Sequence, residues 1–299
     1  MSNSISVVIN TLNEAENISR AILSVKWADE ILICDMHSTD RTVEIAKKLG
    51  AKVIFSEKVE YVEPARNFAI SKAKNEWILI LDPDEEIPES LGIRLQEIAE
   101  GMKQIDYVKI ARKNFIFNHW MKASMWWPDL NIRMFRSGKV KWGNRIHRPP
   151  EVSGLGIDLE ADEKFAIKHN HYMSITEFLE KMIRYTKIQS EELVEDGYKF
   201  NWKDLIIKPL SEFLSRFFAN KGYEDGVHGL VLSFLQAFSF LIVYIRVWEK
   251  EGFKSKEVSL ADLKNLNKKS AEEINYWFKY SNLSKNVFKR FAQKIKNKI

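Results

Sequence analysis

Residues 77–86 read WILILDPDEE, five consecutive apolar side chains followed at once by four carboxylates around a proline. An uninterrupted apolar run of this length, closed by turn residues, suits a strand buried on both faces, as in a parallel sheet. Clustered carboxylates at the end of such a strand supply the hard oxygen ligands that Mg²⁺ or Mn²⁺ prefers, and leave coordination positions for diphosphate oxygens. The plainer alternative is a solvated acidic turn leading into a helix at Pro88, with Glu85 and Glu86 near its positive end.

The same pattern recurs upstream. ISVVIN, ILICD and AKVIFS are short apolar runs, and EAENISRAILSVKWA, TDRTVEIAKKLG and ARNFAISKAK lie between them with apolar positions at helical spacing, such as Ile18, Ile22 and Val25. Strands alternating with helices predict an α/β fold, Rossmann-like, with a mostly parallel sheet. Ligands of such sheets sit at the carboxyl ends of the strands. Asn10, Thr11, Asn13 and Glu14 follow the first run, Asp35, His37, Ser38, Thr39 and Asp40 the second, and Asp82, Asp84, Glu85 and Glu86 the last. Three strand ends are therefore expected to converge on one acid-rich mouth. Asp35 with Ser38 to Asp40 can hydrogen-bond a nucleoside; helix capping accounts for Thr39 or Asp40 and leaves Asp35 unexplained. Arg66 offers a planar fork for a diphosphate or pairs with Glu63 on the helix surface.

Downstream, residues 107–171 turn aromatic and are punctuated by Pro and Gly, which reads as irregular strands and loops able to cover a pocket. From Ser174 onward the pattern is helical almost throughout. The expected division is a catalytic domain over 1–173 and a helical region over 174–299. The stretch 230–245, LVLSFLQAFSFLIVYI, has 16 uncharged residues, short of the roughly 20 needed to cross a bilayer. It reads as a buried helix, an interfacial helix or a span.

Bulk composition narrows the class. An apolar share of 45% and a charged share of 29% describe a globular chain able to fill a core. The single cysteine, Cys34, has no partner in the chain, and MSNSISVVIN lacks a secretory pattern, so a reducing cytosol is the expected compartment. The net charge of +5 is local: residues 252–299 hold 12 Lys/Arg against 4 Asp/Glu. The tail KNVFKRFAQKIKNKI brings Phe288, Phe291, Ile295 and Ile299 near one helical face, which suits an anionic membrane surface. Basic and aromatic residues are not interleaved in a nucleic-acid module, so no nucleic-acid partner is expected.

The segments SVVINTLNEAENI (6–18), WADEILICDMHSTDRTVEIAKKLGA (27–51), ARNFAISKAKNEWILILDPDEE (65–86) and WWPDLNIRMFR (126–136) resemble, in this order, glycosyltransferase family 2 of GT-A fold. The likeness is nearest to bacterial enzymes that build lipopolysaccharide core or other lipid-linked glycans. It implies a nucleoside-diphosphate sugar donor, UDP-sugar first, a divalent cation (Mn²⁺ or Mg²⁺), a glycan or lipid-linked acceptor, and inverting transfer at the inner face of the cytoplasmic membrane. By position it implies that Thr11, Asn13 and Glu14 form the nucleotide loop, that Asp35 holds base or ribose, that Arg66 lies beside the diphosphate, and that Asp82 and Asp84 form the D-x-D, with Asp84 the more direct metal ligand. The family's usual proline is replaced here by the Asn10-Thr11 pair. Asp129 matches the acid ahead of the family's "xxR" element and is the expected general base, with Trp126 and Trp127 against sugar faces; the alternative is that Asp129 pairs with Arg133 and the tryptophans are core. His147 stands where relatives present a metal or phosphate ligand. His169 and His171 are expected to be structural. A catalytically silent relative and a metal-dependent nucleotidyltransferase are the other readings, the latter disfavoured because no Gly-rich, Lys-containing loop follows the first strand.

Overall fold

The computed structural model describes residues 3–57, 62–143 and 149–280. Four strands open the chain: β1 (Ile5–Thr11), β2 (Glu30–Asp35), β3 (Lys52–Phe55) and β4 (Trp77–Leu81), interleaved with α1 (Ile18–Ser24), α2 (Thr42–Lys48) and α3 (Val62–Ser71). They pair in parallel, in the order β3-β2-β1-β4, so the ends of β1, β2 and β4 share one edge. The apolar runs of β1, β2 and β4 are continuous because both faces are covered, while β3 lies at the sheet edge. Val7, Ile9, Leu79 and Leu81 pack with Ile18 and Ile22 on one side. Val8, Leu32, Cys34, Ile78 and Ile80 pack with Ala69, Phe135 and Trp142 on the other. The α/β sheet expected from the alternation is present.

The sheet then continues. After β5 (Glu85–Glu86) and α4 (Glu89–Gly101) come β6 (Tyr107–Ile116), β7 (His119–Trp120), β8 (Asp129–Arg136), β9 (Val140–Lys141), β10 (Glu151–Val152), β11 (Gly156–Asp158) and β12 (Ile167–Tyr172). β8 joins β4 antiparallel, β6 joins β8 antiparallel, and the order runs on through β12 to β5. The aromatic stretch expected to form irregular segments thus contains two long central strands of 10 and 8 residues. Val108 and Ile110 on β6 and Met134 on β8 point into the core, while residues between them turn the other way.

Two compact units result: Met1–Trp120 with Trp126–His171, and Met121–Met125 with Tyr172–Ile299. A single cut at 173/174 does not provide for the excursion of Met121–Met125. That segment is held by the second unit's Asp225, which accepts hydrogen bonds from the backbone N–H of Lys122 and Ala123 at 3.0 and 2.8 Å. The second unit is helical: α5 (Ile175–Glu195), α6 (Asp204–Leu214), a π-helical turn at Ser215–Ala219, α7 (Gly226–Lys250) and α8 (Leu260–Tyr280). A reciprocal cap starts α5. The Ser174 hydroxyl accepts from Glu177 N–H at 3.1 Å and the Glu177 carboxylate accepts from Met173 N–H at 2.7 Å. The start of α7 lies so close to the preceding turn that a Cβ on Gly229 would meet the Gly222 carbonyl oxygen at 1.8 Å. α7 is the only helix among the described residues long and apolar enough to span a membrane.

Candidate active site

The loops after β1 and β2 are tied to one another. Asn13, in the left-handed region at φ 57°, donates its N–H to the Ser38 hydroxyl at 2.8 Å and accepts from Thr39 N–H at 2.7 Å. Glu14 N–H donates to Thr42 Oγ1 at 2.8 Å, and Ala15 N–H to Asp40 at 3.0 Å. Asp35 is the hub of this pair of loops. It is fully buried and accepts from Thr11 Oγ1 at 3.0 Å, Ser38 N–H at 2.8 Å and Ser38 Oγ at 2.6 Å. In this conformation both Asp35 oxygens are engaged by these donors and turned inward. Asn10, on the opposite face of β1, is 6% exposed, and neither its amide oxygen nor its nitrogen has a hydrogen-bond partner.

At the end of β4, Asp82 is gripped from two sides, by Arg66 Nη2 at 2.9 Å and Arg133 Nη2 at 3.0 Å. Arg133 also donates to Glu85 at 2.6 Å, and Asp82 N–H donates to the other Glu85 oxygen at 2.9 Å. Arg112, on β6, lies 3.6 Å from Glu85 and donates to Asp129 Oδ2 at 2.7 Å through Nε. Asn114 and Asn131 donate to the two Asp129 oxygens at 3.1 and 2.8 Å. One chain of charge therefore runs Arg66, Asp82, Arg133, Glu85, Arg112, Asp129. Burial opposes ionisation of Asp82, but Arg133, Arg66 and Arg112 outweigh it and hold the carboxyl well below its usual range. Asp129 behaves likewise: burial raises it, and Arg112 with the two asparagines brings it below an ordinary aspartate. Glu85 goes the other way, pushed up by complete burial, with Asp82 adding to the effect and Arg133 opposing it.

Asp84 faces a different set. Its Oδ2 is 3.5 Å from His169 Nε2, and His169 Nδ1 is 2.6 Å from Asn114 Oδ1. The amide oxygen only accepts, so Nδ1 carries a proton and Nε2 is the ring nitrogen that faces Asp84. His171 Nδ1 reaches the same Nε2 at 3.2 Å, and its ring lies 5.3 Å from that of Trp126. Against the expectation that His169 and His171 are structural, alternation on β12 sends both to the acid mouth. Asn114 serves both halves, since it touches Asp129 and His169.

Other expected partners rearrange. Asp129 pairs with Arg112 and not with Arg133, which goes to Asp82 and Glu85. Arg66 turns to Asp82, with its guanidinium carbon 5.4 Å from the Trp142 ring, and its Nε has no hydrogen-bond partner. Trp126 and Trp127 diverge. Trp126 lies against His171, and Trp127 packs edge-on to Trp120 at 5.4 Å, which Lys113 covers. His147 lies outside the described residues. Arg112 and Asn114 are network members that sequence reasoning missed, and the two histidines are ones it sets aside; the only signal for the histidines is their i,i+2 spacing in KHNHY.

A metal suits part of this donor set. Two ligands at about 2.1 Å from one ion stand about 3.0–3.4 Å apart, close to the Asp84–His169 separation, and Asn114 supplies the outer hydrogen bond that orients a ligating histidine. Asp82 is less suited, because arginines take both of its oxygens. Among the described residues no three His, Cys, Asp or Glu side chains gather as a ready metal cluster. Diphosphate oxygens and water would have to complete the coordination.

Comparison with known proteins places this geometry in context. The pattern of the family described as "Glycosyl transferase family 2" matches residues 6–150. An uncharacterised glycosyltransferase of Rickettsia typhi is 32% identical over 267 residues, covering 86% of this chain and 91% of the relative. The lipopolysaccharide core biosynthesis glycosyltransferase LpsC of Rhizobium meliloti is 21% identical over 258 residues, covering 84% of this chain and 94% of that one. Among solved structures, TarS of S. aureus (residues 1–349) covers 86% of this chain and 94% of its own at a TM-score of 0.42 and 17% identity. A family pattern that falls on the strand-end loops, and a relative matched along nearly its whole length, establish that this chain is a glycosyltransferase of family 2.

Proposed function

We propose that the enzyme is inverting: it moves a sugar from a nucleoside-diphosphate donor, UDP-sugar first, to a glycan or lipid-linked acceptor of the cell surface, such as a lipopolysaccharide core, with a divalent cation. The observation that carries this reading is the single network in which the strand-end acids and Asp129 face each other through Arg112, with Asp84 and His169 beside them. Thr11, Asn13 and Glu14 would receive the nucleoside in the loop that Asp35 shapes, and Arg66 would meet the diphosphate.

The reaction forms a bond between the acceptor oxygen and the anomeric carbon as the bond to the diphosphate breaks, with inversion. The acceptor proton goes to Asp129. Arg112 keeps that carboxylate ionised near neutrality, the form able to take a proton, and Oδ1, which holds only the Asn131 amide, is the oxygen with capacity to spare. Asp84 with His169 would hold Mn²⁺ or Mg²⁺, with His147 as a further ligand; the ion would offset charge on the departing diphosphate. Asp82 would act through its arginines, and Trp126 with Trp127 would border the acceptor. A lipid-linked acceptor places the enzyme at the inner face of the cytoplasmic membrane, and the basic residues of 285–298 suit anionic lipid there.

The test is a thermal-shift panel of nucleoside diphosphates with Mn²⁺ or Mg²⁺. Metal-dependent stabilisation by UDP is expected. If no nucleotide stabilises the protein with either ion, the donor assignment is wrong.

A further inference from the structure

We infer that α6 and α7 form one membrane-docking face that inserts into the acyl boundary of an anionic leaflet without crossing it. The inference rests on the reading that the acceptor is lipid-linked, and adds to it the surface that engages the bilayer.

In α7 the positions Val227, Val231, Phe234, Phe238, Leu241 and Ile245 repeat at intervals of four and three, one stripe of the helix. This stripe lies outward. Val227 is 72%, Phe234 57% and Phe238 44% exposed, whereas Leu232, Ala237, Val243 and Val247 on the inner side are buried. α6 continues the surface with Ile206 and Ile207, each 38% exposed, and Phe213, half-buried, meets Phe234 with ring centroids 4.6 Å apart and the rings tilted. Phe234 and Phe238, uncovered one turn apart on α7 beside the exposed Ile206 and Ile207 of α6, exceed the scattered apolar residues of an ordinary surface.

Charge identifies the occupant. From Phe213 the aromatic contacts run through Phe218 to Phe278 near the end of α8, with Phe218 and Phe278 4.9 Å apart. The chain that follows, residues 281–299, has six basic and no acidic residues. A basic stretch of sequence directly after Phe278 complements an anionic leaflet, which attracts the cations while the apolar side chains leave water.

A span is excluded by what α7 packs against. α5 lies along it and presents Glu180, Arg184 and Lys187 to solvent, and Lys250 of α7 pairs with Glu191 of α5 at 2.9 Å. Asp225, at the start of α7, binds the irregular backbone of Lys122 and Ala123. Charges and irregular backbone cannot enter hydrocarbon with the helix.

The test uses the full chain, with native Cys34 left in place because it is buried. An environment-sensitive dye is attached at Phe238→Cys, and separately at Glu180→Cys as a control. On vesicles of phosphatidylcholine with phosphatidylglycerol, the dye at 238 should brighten and shift to the blue, the dye at 180 should not, and alkaline carbonate should release the protein. Phe234→Asp with Phe238→Asp should lower partition to these vesicles about tenfold or more, while circular dichroism and the UDP–Mn²⁺ thermal shift stay unchanged, which separates lost docking from lost folding or lost donor binding. Four results overturn the proposal: no vesicle binding; binding through the tail with the dye at 238 still in water; brightening that follows protein concentration without vesicles, the mark of a second copy; or resistance to carbonate, the mark of a span.

Discussion

Replacing Arg133 by methionine removes the cation between Asp82 and Glu85, and the structure sets the size of the effect. Arg133 is 4% exposed and Glu85 is fully buried, so solvent cannot take over the lost charge. Asp82 keeps Arg66 at 2.9 Å; Glu85 keeps the Asp82 N–H at 2.9 Å and a distant Arg112 at 3.6 Å. Stranding one buried carboxylate in this way costs about 3–5 kcal/mol. A cooperative unit of this size loses about 2–4 °C per kcal/mol, so Arg133→Met should lower the melting temperature by about 6–20 °C. The deficit should depend on pH with a definite sign. Glu85 titrates above its unfolded value, so the folded state binds its proton more readily, and stability linked to this group is present at low pH and lost as pH rises. Arg133→Met should therefore suffer less at pH 5 than at pH 8. Adding Glu85→Gln should restore at least half of the loss, a coupling read from the double-mutant cycle. A drop under about 3 °C, or a double variant no more stable than Arg133→Met, would refute the buried network.

Asp129→Asn should reduce transfer by about 10²–10⁴ while the UDP–metal thermal shift stays intact; retained transfer would mean that another base acts. Asp84→Asn and His169→Ala should each abolish the metal-dependent part of the nucleotide shift, which at 100 times Kd is worth about 2.7 kcal/mol, and an unchanged shift would move the ion elsewhere. Asp35→Ala should cost about 1–3 kcal/mol by leaving Thr11 and Ser38 without their acceptor, and should weaken nucleotide binding through the loop. Asp82 and Asp129 both titrate below their unfolded values, so the stability they supply is present at neutral pH and fades as pH falls below about 4; a melting temperature that holds down to pH 3 would contradict both.

The parallel half of the sheet could be read from the chain because β1, β4 and most of β2 are buried and their ends are closed by polar loops: Asp82 and Asp84 advertise themselves by following five apolar residues. The antiparallel half was harder. Asp129 and Arg133, four apart, suggest a helical pair, but on β8 four residues span about 13 Å, and each side chain finds its partner on another strand. Arg112 and Asn114 reach Asp129 from β6, whose register against β8 includes an irregularity at Val108/Lys109. No local pattern encodes such a register. His169 meets Asn114 and Asp84 for the same reason, through pairings between strands distant in sequence.

The charge balance of the network bears on why a cation is proposed. Arg66, Arg112 and Arg133 face Asp82, Glu85 and Asp129, so the arginines near the mouth are already committed to carboxyl groups. An arriving diphosphate adds negative charge to a site whose arginines are already engaged. Arg66, with an Nε that has no partner, can answer part of it, but drawing Arg66 away from Asp82 returns a carboxylate's charge to the same place. A divalent ion held by Asp84 and His169 supplies the missing positive charge without disturbing the arginines, and leaves Arg112 beside Asp129. On this reading Arg66→Lys, which keeps the charge and loses the fork, should weaken donor binding modestly at saturating metal and more strongly when metal is limiting, because only then must the side chain meet the diphosphate alone. Equal weakening at both metal concentrations would show that arginine and ion act independently, and that the balance of charge does not govern the site.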